Sequence, residues 1–142
     1  MKKIILGAVL LLTQVSFLTS EETRESKSVM LSGYLSLSGS IYVPSQNSYA
    51  SGYVNGWLSL RDSSGEYYTN NTYLNVYVGF FVNSNYVYVT AYPNQYLTVY
   101  KNGKSVGSVY ITQGVGLSGW LNGNFVNLNG SSYINQTVYV SE

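Results

Sequence analysis

The feature that most constrains the fold is an alternation of aliphatic residues with tyrosine, serine or asparagine. In the segment 73–78, Tyr-Leu-Asn-Val-Tyr-Val, the branched apolar residues occupy the even positions. Successive side chains of a β-strand point to opposite faces, so a period of two predicts strands with one apolar and one polar face. Glycine, asparagine, serine and β-branched residues also disfavour helix. The sequence therefore predicts an all-β fold.

The first twenty residues have a different character. Lys2 and Lys3 precede an apolar run over residues 4–12, which resumes at 15–18 and ends near the small residue Ser20. This pattern is typical of a secretory signal peptide, which we predict at residues 1–20. Residues 21–28 carry five charges in eight positions and predict a flexible charged arm. A single all-β domain is expected over residues 29–142.

Short turn motifs divide this domain into about eight or nine strands. Turns are predicted at residues 62–65, at 83–85 as a tight hairpin, and at Asn102-Gly103, a pair that favours the positive φ angles of a two-residue hairpin. This spacing is typical of a single antiparallel β-sandwich or a closed barrel. The predicted strands are 29–43, 52–61, 73–82, 86–92, 96–101, 105–112, 115–128 (one strand or a hairpin about Asn122-Gly123) and 133–140.

Most tyrosines fall on the face opposite the aliphatic residues of their strand, as do Trp57 and Trp120. Tyr110 is instead expected beside Val106 on the aliphatic face, and Tyr49, Tyr67 and Tyr68 are expected in loops. The tyrosines assigned to the polar face, twelve of the sixteen, are Tyr34, Tyr42, Tyr53, Tyr73, Tyr77, Tyr86, Tyr88, Tyr92, Tyr96, Tyr100, Tyr133 and Tyr139.

Two interpretations of this aromatic face remain open. Tyrosine favours strands and forms cross-strand pairs, so the face can be purely structural. Aromatic rings among few charges also form binding surfaces, because sugars lay their C–H faces on such rings and proteins contact them readily. The candidate ligand-binding residues are Tyr34, Tyr53, Trp57, Tyr77, Tyr88 and Trp120.

The residue types that support catalysis are scarce. The chain has no histidine and no cysteine, which removes most general bases, thiol nucleophiles and transition-metal sites. Between residues 29 and 141 the carboxylates are Asp62 and Glu66, four residues apart across one predicted turn. We therefore expect no enzymatic activity, no catalytic residues, no metal site and no cofactor.

Without residues 1–20, five basic residues stand against six acidic ones, which gives a net charge of −1. Because no basic stripe exists, a nucleic-acid partner is not expected. Export predicts a secreted or cell-surface protein, with the periplasm or the outer membrane as alternatives in a Gram-negative bacterium.

Three functional hypotheses follow. The leading one is a secreted binding or adhesion module whose tyrosine-rich face contacts a glycan, a cell-surface polymer or a protein. The second is a self-assembling subunit of an extracellular fibre, coat or matrix, because uncharged strands lack the usual protection against edge-to-edge pairing. The third is a small outer-membrane β-barrel with its aliphatic face towards lipid, and only this hypothesis makes a membrane the partner.

Overall fold

A computed structural model describes residues 26–142 as nine β-strands without a helix. The predicted all-β class is thereby confirmed, whereas the predicted signal peptide and residues 21–25 of the predicted arm lie outside the described residues. No helix in the described part of the chain is long and apolar enough to span a bilayer. The strands are β1 (Ser26–Tyr42), β2 (Ser48–Leu58), β3 (Tyr67–Thr69), β4 (Thr72–Val82), β5 (Tyr86–Ala91), β6 (Gln95–Lys101), β7 (Lys104–Ile111), β8 (Val115–Asn122) and β9 (Phe125–Ser141).

These strands form two antiparallel sheets. A curled sheet of six strands has the order β4-β2-β1-β9-β8-β5, and a smaller sheet has the order β3-β6-β7. At the centre of the larger sheet, β1 and β9 pair along their full length, from Ser26 opposite Ser141 to Tyr42 opposite Phe125. Residues 26–28 of the predicted arm are therefore paired residues of β1.

A short segment after β2 connects the two sheets. The backbone of Arg61 exchanges two hydrogen bonds with that of Ser32 in β1, each 3.0 Å long, and Arg61 also bridges to Tyr68 in β3. The backbone N–H of Leu60 donates to the Thr69 hydroxyl at 2.9 Å, which satisfies the buried polar side chain of that strand. The smaller sheet is thus linked to β1 of the larger sheet through the backbone of Arg61.

The aliphatic residues of the alternating pattern form one core to which both sheets contribute. Because the described chain has no disulfide, burial of this apolar surface is the main favourable contribution to folding. The core residues that are completely covered are Leu31, Leu35, Val54, Leu58, Leu60, Val99, Ile111, Val115, Leu117, Val126, Ile134 and Val140.

The prediction of a tight hairpin at residues 83–85 is wrong. These residues join β4 to β5, but the two strands are the opposite edges of the six-stranded sheet and do not form a ladder. At the end of β4 the Val82 carbonyl accepts a hydrogen bond from Asn47, and beyond the turn the Asn85 carbonyl accepts one from Leu121, each at 2.6 Å. The sheet curls so that its two edges meet at this turn, while each edge strand pairs with another neighbour.

The Asn102-Gly103 turn agrees with its prediction. Both residues have positive φ, 54° and 78°, and the turn connects β6 and β7 with Lys101 opposite Lys104. A two-residue turn of this kind matches the twist of the strands it joins. Of the two alternatives for residues 115–128, the hairpin about Asn122-Gly123 forms, between β8 and β9, and Gly123 has a φ of 64°.

Gly56 marks a close approach of two backbones in the six-stranded sheet. A Cβ atom on this residue would lie 1.9 Å from the backbone oxygen of Ser36 in β1. Atoms cannot approach to that distance, so any side chain here would push β2 away from the central ladder. The inward face of β2 therefore requires glycine at this position.

We predict that Gly56→Ala lowers the free energy of unfolding by about 2–4 kcal/mol, because the backbone must shift to relieve the overlap. Urea unfolding followed by tryptophan fluorescence measures this change. Gly79→Ala is the matched control, because its Cβ would make an ordinary contact of 3.4 Å with the Tyr49 ring. Equal urea midpoints for the two variants would contradict the predicted close approach.

Candidate functional site

The outer face of the six-stranded sheet carries most of the exposed aromatic side chains. Of the twelve tyrosines predicted opposite the aliphatic residues, eleven are exposed and Tyr100 is half-buried. Trp57 and Trp120 are exposed by 58% and 67%. The aliphatic face is therefore buried and the aromatic face is in contact with solvent.

Seven aromatic pairs lie across neighbouring strands, and in every pair the two residues are directly opposite each other. Ring centroids are 4.4–5.9 Å apart, and six pairs are tilted or edge-on, as the ring quadrupoles prefer. Such pairs stabilise the sheet from its outer side. They are Tyr34–Tyr133, Tyr42–Phe125, Tyr53–Tyr77, Trp57–Tyr73, Tyr86–Trp120, Tyr96–Tyr110 and Tyr68–Tyr100.

The six candidate binding residues all lie on this outer face, but in three separate places. Tyr53 and Trp57 in β2 lie with Tyr77 of β4 near one edge of the sheet. Trp120 in β8 and Tyr88 in β5 lie at the other edge, where Tyr88 is opposite Ser118. Tyr34 belongs to the central ladder, opposite Tyr133.

A row of polar residues also crosses the outer face, and sequence reasoning did not find it. Consecutive strand pairings place its members opposite one another across all six strands. Five inter-strand spacings of about 4.8 Å make the row about 24 Å long, measured along the curled sheet. From one edge to the other, the row consists of Asn75, Asn55, Ser38, Asn129, Ser118 and Tyr88.

At one end of this row, two amide side chains lie between two aromatic pairs. The Asn55 amide donates a hydrogen bond of 2.7 Å to the side-chain oxygen of Asn75. Two residues from the amides along the strands, about 6.8 Å away, lie the Tyr53–Tyr77 pair on one side and the Trp57–Tyr73 pair on the other. We call this group the β2–β4 cluster, and its members are Tyr53, Asn55, Trp57, Tyr73, Asn75 and Tyr77.

Charged groups gather elsewhere, around β3 and the end of the chain. The Lys101 ammonium lies 3.0 Å from Glu66 and 2.8 Å from Glu142, and Lys27 and Lys101 both lie over the ring of Tyr67. Hydrogen bonds from Lys101 and from the Tyr67 hydroxyl hold the pKa of the Glu142 carboxyl below its usual range. By contrast, β2, β4, β5, β8 and β9 contain no charged residue.

A groove of about 490 Å³ also lies at this charged end, between the β6–β7 turn and the end of β9. Lys101 and Lys104 line it together with Glu142, so its positive charges are partly offset by a carboxylate. Among residues 26–142, no group of three or more acidic side chains is placed to hold a metal ion.

Two tyrosines differ from their predicted positions. Tyr67 was expected in a loop but lies in β3, where it is buried with 1% exposure. Tyr110 was expected on the aliphatic face but is exposed and pairs with Tyr96. The register of β6 and β7 shifts beside Tyr100, and this β-bulge exchanges the two faces of β7 beyond Val106.

Tyr49 and Tyr68, also expected in loops, are strand residues in β2 and β3. Tyr49 lies opposite Phe81 of β4. Phe81 and Phe125 extend the aromatic face beyond the tyrosines and tryptophans that the sequence pattern singled out.

Comparison of the chain with known protein families, with curated proteins and with solved structures finds no match.

We predict that the Tyr34–Tyr133 pair contributes a coupling free energy of about 0.5–1.5 kcal/mol to folding, because the rings contact each other across the central ladder. A double-mutant cycle with Tyr34→Thr and Tyr133→Thr, read out by urea unfolding, measures this coupling. The control cycle combines Tyr34→Thr with Tyr139→Thr, since Tyr139 is opposite Ser28 on the same face. Coupling no larger than in the control would show that the rings do not interact.

Proposed function

We propose that the protein is a non-enzymatic binding or adhesion module whose ligand contacts the aromatic outer face of the six-stranded sheet. The observation that carries this proposal is that the rings stay accessible although they are paired. The exposed tyrosines and tryptophans of that sheet keep between 46% and 72% of their surface in contact with solvent. Pairing alone stabilises a sheet, but so many exposed aromatic side chains on one face are typical of a contact site.

The chemistry of the described residues supports binding rather than catalysis. The acidic groups are Asp62, Glu66 and Glu142, and the last two are engaged by Lys101 at the charged end of the molecule. The aromatic face itself offers hydroxyl, amide and ring surfaces, which bind ligands by hydrogen bonding and stacking.

We further propose that the module acts outside the cell, because residues 1–20 have the pattern of a signal peptide. One core shared by two sheets supports a β-sandwich as the arrangement of the fold.

Self-assembly is the second candidate function, and the edge strand β4 favours it. Its eleven residues, Thr72–Val82, contain no charge and no proline, and within residues 26–142 it forms a ladder with β2 alone. Natural edge strands usually carry charged residues or proline, which prevent pairing with a second molecule. Sedimentation velocity of residues 21–142 over a wide concentration range tests this candidate, and a strict monomer would contradict it.

The main proposal predicts that Tyr34→Thr, Tyr53→Thr and Trp120→Thr together weaken ligand binding at least about tenfold, since each removes an exposed ring. The probes are intact bacterial and epithelial cells, insoluble polysaccharides, mucin and collagen, each incubated with residues 21–142 and sedimented. The control combines Tyr68→Thr, Tyr96→Thr and Tyr110→Thr in the smaller sheet. Unchanged binding of the first triple variant to every probe would contradict the proposal, provided that circular dichroism shows it folded.

A further inference from the structure

Building on the proposed binding function, we infer that the β2–β4 cluster is a binding site for a neutral polysaccharide. The ligand class is thus a polymer of uncharged sugar units, bound by stacking on the aromatic pairs and by hydrogen bonds to the two amides.

The amide pair provides both kinds of hydrogen-bonding group at one place. An asparagine side chain has two N–H donors and an oxygen with two lone pairs, and the single bond between Asn55 and Asn75 uses one donor and one lone pair. At least one carbonyl oxygen and several N–H groups therefore remain available to a ligand. Sugar hydroxyls donate and accept hydrogen bonds, so they match this mixed set better than a purely anionic or cationic group does.

The aromatic pairs on either side provide stacking surfaces. Tyr53, Trp57, Tyr73 and Tyr77 are exposed by 54%, 58%, 52% and 60%. The rings within the two pairs are inclined at 68° and 59°, so they are not stacked on each other, and the ring faces turned away from the partner stay available. A sugar ring that lies on one of these faces has its hydroxyl groups at its rim, towards the neighbouring amides.

The two strands of the cluster carry no charge, which favours neutral ligands over acidic ones. Neither β2 nor β4 contains a charged residue, and the ion pairs of the described chain lie around Lys101 at another part of the molecule. An acidic polysaccharide or a nucleic acid would require lysine or arginine near its anionic groups. A neutral ligand requires no lysine or arginine, so an uncharged polymer matches the two uncharged strands of the cluster.

The length of the polar row favours a polymer over a single sugar. The row leaves the cluster at Asn55 and crosses the central ladder through Ser38 and Asn129. It ends beside a second aromatic group, where Tyr88 is opposite Ser118 and the Tyr86–Trp120 pair lies next to it. Along the curved outer surface this path of hydrogen-bonding groups is about 24 Å long, so a polymer can contact more of it than a single sugar can.

Affinity gel electrophoresis of residues 21–142 tests this inference. The gels contain dextran, mannan, galactomannan, xyloglucan or β-1,3-glucan as neutral polysaccharides, and polygalacturonate or hyaluronate as acidic ones. We expect at least one neutral polysaccharide to retard the protein. About 0.5 M NaCl should not abolish this retardation, because salt screens contacts between charges and this contact is uncharged.

The variants locate the site. Trp57→Thr is expected to weaken that binding by about tenfold, because it removes a stacking ring. Asn55→Thr with Asn75→Thr is expected to weaken it by about fivefold, because threonine keeps the strand but lacks the amide. The matched control, Tyr96→Thr with Tyr110→Thr, removes an aromatic pair whose neighbouring row is Thr98 and Ser108, without amides, and should bind as the parent does.

The outcomes separate this inference from the function on which it rests. If the protein binds only an acidic polymer, collagen or cells, and the outer-face triple variant loses that binding, the binding function stands and the polysaccharide inference is overturned. If a neutral polysaccharide binds the Trp57 and asparagine variants as tightly as the parent, the assignment to the β2–β4 cluster is overturned. If no probe binds through the outer face, both fail.

Discussion

The ladder between β1 and β9 joins the two ends of the described chain, and the other strands are arranged around it. Along one half of the ladder, β2 and β8 add to its two sides and extend it into the curled sheet. Along the other half, Arg61 connects β1 to the smaller sheet, and Gly107 of β7 lies close to the backbone of Tyr139 in β9. Because both sheets depend on contacts between residues distant in sequence, neither can form from local turns alone.

The exposed aromatic surface is a consequence of this arrangement. Burying one face of each strand in a common core fixes which side chains face outward, since the side-chain period of a strand is two. Tyrosine, tryptophan and asparagine occupy the outward positions, and the pairing register then places ring opposite ring and Asn55 opposite Asn75. Five of the six strands of this sheet, β2, β4, β5, β8 and β9, carry no charge, because most charges of the described chain lie near β3, the β6–β7 turn and the chain end.

Alternation in the sequence was sufficient to predict the fold class, most of the strands and the side on which most aromatic residues lie. It failed where pairing departs from local pattern. Tyr110 changes face because of a bulge, Tyr67 is buried in a strand of only three residues, and the turn at 83–85 joins two edges instead of forming a hairpin. The aromatic pairs and the polar row could not be predicted, because they depend on the register between strands that are distant in sequence.

Nitration of tyrosines by tetranitromethane, followed by mass spectrometry of peptides, tests most directly whether the aromatic face is exposed and the aliphatic face buried. Tyr34, Tyr53 and Tyr88 are 72%, 54% and 67% exposed and should be modified rapidly in the folded protein, whereas Tyr67, with 1% exposure, should react only after unfolding in urea. Protection of Tyr34, Tyr53 and Tyr88 to the same degree as Tyr67 would contradict the account, because it would mean that the tyrosines form the core of the sheets.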